Sequence, residues 1–254
     1  MKWTQVPAGD LNAAEQRLRV AFGDNADQIV NRINADPAFV DRLATFATAG
    51  GFTPTTSQER ARAIMGTNML GIEEAAKHLG LTPSPEIIKA LAEVPFTEGE
   101  LEACKNTHLL VANLGTSIIE IRRLVAGKGK VFYGQDWYNN QKFASQPGKV
   151  GWELIRKTPV DNSIGKTYSE QQALLAENEY TPTAQTVIYT MVLYFLATGK
   201  RLFESVYVRC SDLASDGNRV YVGYFGADGL LVSDDWDDYR DDGIGLSAAQ
   251  KFEA

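Results

Sequence analysis

The sequence predicts an α+β protein in which a helical N-terminal region precedes a strand-bearing C-terminal half. Three observations lead there. From Leu11 to about Glu102, apolar residues recur at helical spacing between glycine and proline breaks. From His108 onward, short apolar runs alternate with a period of two. Turn sequences at Asp216-Gly217-Asn218 and Ala227-Asp228-Gly229 then divide the last of these runs from one another. With 254 residues and 44% hydrophobic side chains, the chain has enough material for a real core in one large domain or two small ones.

The elements follow in order. Over residues 1–105, LNAAEQRLRVAF, DQIVNRI, PAFVDRLATFA, SQERARAIM, GIEEAAKHLG and SPEIIKALAEV each read as a short helix, broken at Gly50-Gly51, Pro54, Gly66 and Pro83/Pro85. Gly71 to Leu91 has the outline of a helix-turn-helix. Its second helix, PEIIKAL, offers one Lys to a phosphate backbone, so helix–helix packing is the better reading. Residues 106–147 form a connecting α/β segment: HLLVANL is a strand, SIIEIRRL a helix behind Ser117, KVFYG a strand, and DWYNNQKFA a short helix capped by Asp136.

Residues 148–254 follow as the last region. GWELIRKT is a strand, and SEQQALLA is a helix with Ser169 at its cap and Gln172 three residues on. PTAQTVIYTMVLYFLATG is a longer helix opened by Pro182 and closed by Gly199. Four strands follow, in SVYVRCSD, RVYVGYF, GLLVSDDW and IGLSAAQKF. Alternation places Val206, Val208, Val220 and Val222 on one face, and Tyr207, Arg209, Tyr221 and Gly223 on the other. The valine face is expected to turn inward.

Composition narrows the function. A net charge of −7 argues against an extended phosphate-binding surface, so no nucleic-acid partner is expected. Cys104 and Cys210 stand in no metal-ligand spacing and are expected to be reduced and buried, with a single bridge left open. The start, MKWTQVPAGDLNAAEQ, has no apolar h-region, and the longest apolar run, Val187 to Ala197, would be about 16 Å long as a helix against ~30 Å of hydrocarbon. No membrane span is expected and a cytoplasmic location is the simplest reading, with a phage particle or cell-surface display left open.

Catalytic signatures are thin. His78 and His108 lie in different regions, and no Gly-x-Ser-x-Gly, His-Glu-x-x-His or Cys-x-x-Cys occurs. The IGKT of residues 164–167 lacks the earlier glycine of a P-loop, since Val160 stands there. No catalytic residue and no cofactor is expected, although a hydrolase acting through a carboxylate pair remains an alternative. Trp137, Tyr138, Phe143 and Trp152 are expected to pack the junction between the N-terminal helices and the sheet, and Tyr189, Tyr194 and Phe195 are core or interface residues, with an oligomer possible.

The most unusual stretch is DGLLVSDDWDDYRDDGIGL at residues 228–246. It holds Asp228, Asp234, Asp235, Asp237, Asp238, Asp241 and Asp242 and no Glu. Asp, Gly, Ser and Tyr suit irregular loops, where a short carboxylate can accept from nearby backbone N–H groups. The same set, with Ile, Leu and Val, is what asparagine codons yield when their adenines are randomised; Glu, Lys, Gln, Met and Trp are never produced. Trp236 alone in the stretch is of an excluded type. Trp236 is therefore expected to be a half-buried scaffold residue anchoring the loop, with Arg240 holding carboxylates or carbonyls in its fork.

With two helices, a run of strands and an acidic loop before the last strand, residues 148–254 resemble the C-type lectin fold, through VYVRCSD at 206–212, GYFGADGL at 223–230, WDDYRDDGIGL at 236–246 and the closing SAAQKF. More narrowly, the end of the chain resembles the variable proteins of diversity-generating retroelements. The resemblance implies a mixed, mostly antiparallel sheet with two flanking helices, whose first and last strands pair. It also implies a ligand-binding surface rewritten at adenine-templated positions. That surface would comprise Tyr221, Gly223, Tyr224, Ser233, Asp234, Asp235, Asp237, Asp238, Tyr239, Asp241, Asp242 and Gly243, on the scaffold of Trp236 and Arg240. Outward Asp side chains would favour a basic protein or other macromolecule as partner, bound less tightly as salt rises. A Ca²⁺-dependent carbohydrate site is the chemical alternative, but DDWDDYRDD lacks the Asp-x-Asp-x-Asp-Gly spacing with a closing Glu, and the metal assignment stays open.

Overall fold

Helical periodicity at the N-terminus yields three helices in a unit of their own, residues 1–48. The computed structural model describes residues 7–48 and 52–252; MKWTQV and the expected break at Gly50-Gly51 lie outside them. The helices are α1 (Ala8–Phe22), α2 (Ala26–Ala35) and α3 (Pro37–Thr48). Glu15 and Arg19, one turn apart, pair on α1 at 2.9 Å, and Asp36 accepts from the Phe39 amide at 3.0 Å at the start of α3. Neither α1 nor α2 buries a residue, and Leu18, Val20 and Val30 stand exposed.

The second unit spans residues 49–254. The division therefore falls at residue 48 and not at the expected 105. Helices α4 (Thr56–Met65), α5 (Ile72–Leu79), α6 (Pro85–Ala90) and α7 (Glu98–Cys104) belong with the sheets, because Ala61, Met65, Ile72, Ala75, Leu79 and Leu101 join one core with the strands that follow. Within this helical stretch lies a strand the sequence did not announce, β1 (Met69–Leu70). It pairs in parallel with β2 (His108–Leu114), all of whose residues are buried. Helix α8 (Ile118–Val125) starts behind Ser117, whose hydroxyl accepts from the Glu120 amide.

Two expected elements of the connecting segment differ. KVFYG contributes a single bridge, Phe132 to Leu230, and DWYNNQKFA forms turns before a one-turn helix, α9 (Lys142–Ser145). Asp136 spends its carboxylate on the Asn139 side chain and Arg122 instead of capping a helix.

Downstream come β3 (Val150–Arg156), α10 (Tyr168–Gln172), β4 (Glu179–Tyr180) and α11 (Ala184–Thr198). The cap of α10 is Thr167 with Glu170, two residues ahead of the expected Ser169 with Gln172. Both pairs fit the Ser/Thr-x-x-Glu/Gln template, and the observed one places a carboxylate, the better acceptor for the cap amide, at the third position. Helix α11 is capped by the Thr183 hydroxyl, one residue after Pro182, and ends at Gly199, which takes the left-handed conformation at φ 73°. The remaining strands are β5 (Tyr207–Leu213), β6 (Arg219–Gly226), β7 (Gly229–Asp235), β8 (Ile244–Leu246) and β9 (Ala249–Gln250).

The architecture is α+β with two mixed sheets, where a single sheet was expected. One has the order β1-β2-β3-β9-β4, the other β7-β6-β5-β8. Most pairings are antiparallel; β1–β2 and β5–β8 are parallel. The chain crosses between the sheets at Ser247–Ala248, and β9 then pairs with β3 through Ile155 and Ala249. Helix α11 lies in the middle of the core: Val187, Ile188, Met191, Val192 and Leu193 are buried, Tyr189 donates to the Ala112 carbonyl at 3.0 Å, and Gln185 accepts from Asn113 at 2.9 Å. Trp152 donates to the Leu91 carbonyl at 2.9 Å, fixing α6 to β3. Both cysteines are free; Cys210 is buried, whereas Cys104 is partly exposed, because it ends α7 at the surface. Among the described residues, no helix is long and apolar enough to cross a membrane.

Candidate functional site

The four-stranded sheet carries the site. Register puts Val208, Val220, Val222 and Val232 on the face that packs into the core, as the alternation predicts. Tyr207, Arg209, Tyr221, Gly223, Leu231 and Ser233 share the other face, with Ile244 and Leu246 beside them. This second face is not open to water along its length. Arg209 is fully buried and Tyr221 is buried, because residues 163–171 and the loop from Trp236 to Gly243 lie across them.

Arg209 is the strut beneath that cover. Its guanidinium donates to the Lys166 carbonyl at 2.8 Å, to Gln171 Oε1 at 3.0 Å and to the Tyr239 carbonyl. Its Nε has no partner among the described residues. The covering segments are also tied to each other. The Gly165 amide donates to the Asp241 carbonyl at 3.2 Å and the Tyr168 amide to the Asp237 carbonyl at 2.8 Å. Arg240 donates to Glu170 Oε1 at 2.7 Å, which, with the Thr167 backbone bond, holds the Glu170 carboxyl down at about 2. Arg219 grips both oxygens of Asp237 at 3.0 Å while its guanidinium lies 4.0 Å from the centre of the Tyr168 ring. The IGKT stretch is thus a lid over the sheet and the lead-in to α10.

Above this frame the loop side chains face outward. Trp236, expected to be a half-buried anchor, is 59% exposed and meets Tyr239 edge-on with ring centres 5.4 Å apart. The anchoring falls to Arg209 and Arg219, whose hydrogen bonds reach the loop backbone and Asp237 from below. Asp237, Asp238, Arg240 and Asp242 are exposed; Ser233, Asp234, Asp235, Tyr239, Asp241 and Gly243 are half-buried. Gly223 departs most from expectation. It is buried at φ 153°, and a Cβ built on it would stand 2.1 Å from the Val206 carbonyl, so the position admits no side chain. Asp228 pairs with Lys130 and Asp237 with Arg219. Asp234, Asp235, Asp238, Asp241 and Asp242 form no ion pair among the described residues. Burial raises the Asp234 carboxyl above its ordinary value, with a smaller opposing bond from Asn218.

A cleft of about 290 Å³ opens where the loop meets the sheet, lined by Tyr207, Tyr221, Tyr224, Leu231, Tyr239, Asp241 and Ile244. Tyr207 lies against Tyr221 and Tyr224, with ring centres 4.9 and 4.5 Å away. Tyr224 reaches this position at a φ of 40°, unusual for a residue with a bulky side chain. Asp241 accepts from the Gly243 amide at 2.7 Å and from the Tyr239 hydroxyl at 3.2 Å. Burial pushes the Tyr207 phenol up to about 12, with smaller contributions from Tyr221, Tyr224 and Asp241, so the Tyr207 ring is neutral at physiological pH. Comparison with protein-family models, curated proteins and solved structures finds no match. Function must be argued from this geometry.

Sequence reasoning missed Tyr207 and Arg209 as parts of the site. Their signal was present: an Arg at an inward-outward alternating position two residues from one Tyr, Tyr207, and opposite a second, Tyr221, in register. A larger cavity of about 710 Å³ lies elsewhere, bounded by β3, β4 and the start of α11. Three bonds tie polar groups of its lining: Tyr180 donates to Glu153, Asp212 accepts from the Ala184 amide at 2.6 Å, and Gln185 donates to the Thr116 carbonyl at 2.7 Å. Burial raises the carboxyls of Glu153 and Asp212, against those bonds. The tyrosine cleft, although smaller, gathers four tyrosine rings beside one carboxylate, Asp241. Among the described residues, no three Asp, Glu, His or Cys side chains gather as a metal site.

Proposed function

We propose that this chain is a ligand-binding protein of receptor or display type. Its C-terminal part is a C-type-lectin-like domain, and its outer loop is diversified by a retroelement to meet varied macromolecular targets. The reading rests above all on one observation: the backbone of residues 236–243 is tied down from beneath by Arg209, Arg219 and the α10 lid, while most of its side chains reach water. Exposed positions on a fixed backbone change at little cost, about 0.5 kcal/mol or less, which is what a diversified surface needs. The pairing of β3 with β9, which brings the two ends of residues 148–254 together, supports the lectin-like reading. The carboxylates of Asp238, Asp241 and Asp242 favour a basic partner and association that weakens with salt.

The test lies in the DNA beside the coding region. A near-copy of the segment encoding residues 220–250, differing only at adenines and accompanied by a reverse transcriptase, is expected. The mismatches should fall at codons for exposed and half-buried positions such as Tyr224, Asp238 and Asp242 and avoid Gly223. A locus without such a copy, or with mismatches scattered over the buried strands, overturns the reading.

A further inference from the structure

The tyrosine cleft beneath the loop has a more definite chemistry than an interchangeable surface requires. Three rings, Tyr207, Tyr221 and Tyr224, pack together, Tyr207 lying 4.5 and 4.9 Å from the other two in tilted and edge-on arrangements, and all three line a shared space of about 290 Å³. Tyr239 adds a fourth ring, and its hydroxyl bonds the one carboxylate in the lining, Asp241. Aromatic faces carry the negative part of the ring quadrupole, and they attract a cation within about 6 Å of the ring centre. An anion would face both those quadrupoles and Asp241. A neutral apolar group would fill the space yet leave the carboxylate without a counter-charge.

We propose that this cleft binds one alkylammonium group, a lysine-type side chain or its methylated form, presented by a basic macromolecule. The assignment rests on the reading of the loop as a ligand-binding surface and names the chemistry at its centre. Tyr207 and Tyr221 stand on the strands as fixed walls, whereas Tyr224, at the exposed end of β6, closes the cleft. Gly223, opposite both Tyr207 and Leu231 in register, contributes no side chain to compete for the space.

The probe is a short peptide with one trimethyl-lysine among neutral residues, titrated into the full chain by calorimetry or NMR beside the same peptide carrying the neutral tert-butyl isostere. The cationic peptide is expected to bind roughly tenfold more tightly than the isostere, the scale of a partly desolvated cation–π contact. Tyr224→Ala should weaken it by a similar factor and Tyr224→Phe should restore it, since the ring and not the hydroxyl is used. Asp241→Asn keeps an acceptor for the Gly243 amide and should cost several-fold while flattening the salt dependence. Equal binding of cation and isostere, binding indifferent to Tyr224→Ala, or no binding of either peptide at millimolar concentration overturns the assignment. The two readings fail separately: a template repeat without cation binding removes only the ammonium site, and cation binding without a repeat removes only the diversification.

Discussion

Replacing Arg209 by Met tests the claim that this side chain holds the loop from below. The guanidinium is fully buried and donates to the carbonyls of Lys166 and Tyr239 and to Gln171 Oε1, which belong to both covering segments. Met matches its length but returns none of those bonds. Each buried acceptor left without a donor costs about 1–3 kcal/mol, and relief from burying a charge offsets part of the sum. The net loss should be about 3–5 kcal/mol, the range seen when one side of a buried charged network is removed. For a unit of this size that corresponds to a fall in Tm of about 6–20 °C. Chemical denaturation gives the free energy, and amide exchange locates the loss. Protection at Tyr168, whose amide bonds Asp237, and at Gly165, whose amide bonds Asp241, should drop before that of β2 and β3. A variant with unchanged midpoint and unchanged exchange at those two amides would refute the strut.

Other perturbations follow from the same geometry. Trp236→Ala, at a side chain mostly in water, should change stability by less than about 0.5 kcal/mol by denaturant titration, and a loss of several times that would restore its role as an anchor. Gly223→Ala forces a Cβ against the Val206 carbonyl in a conformation costing about 1–3 kcal/mol even without the clash, so expression as insoluble protein or a sharply lowered Tm is expected. His108 is held neutral, its value pulled down to about 4, chiefly by burial and then by Arg156 and Lys157. The unfolded chain takes up that proton near 6.5, so His108 contributes fully above 6.5 and its contribution is lost between there and about 4. A Tm profile against pH should therefore begin to fall above the carboxylate range, and His108→Gln should remove that early part of the fall.

Much of the fold was legible because local rules decide it. The valines of β5 and β6 announce an inward face by alternation alone, and α11 declares both ends through Pro182, one residue before its cap, and Gly199. What stayed hidden depends on distant partners. The helices at residues 8–48 and those at residues 56–104 share one periodicity, and periodicity alone does not show that the second set joins one core with the strands. Ser169 and Thr167 satisfy the same cap template, and only the arrival of Arg240 shows what else Glu170 does.

The loop shows the same limit most sharply. Composition marked residues 228–246 as a surface that can change, and exposure at Trp236, Asp238 and Asp242 is what such a surface needs. Which residues must stay constant depends on what lies underneath. Trp236 looked like an anchor because tryptophan is not among the products of randomised asparagine codons, and Gly223 looked replaceable because glycine is. Burial reverses both assignments. Arg209, which alternation placed outward, is enclosed by residues 163–171 arriving from another part of the chain, and Gly223 is pressed against Val206. The loop thus depends on residues outside the acidic stretch, and under the proposed diversification the constant positions are expected at Tyr207, Arg209 and Arg219 and not at the tryptophan within the loop.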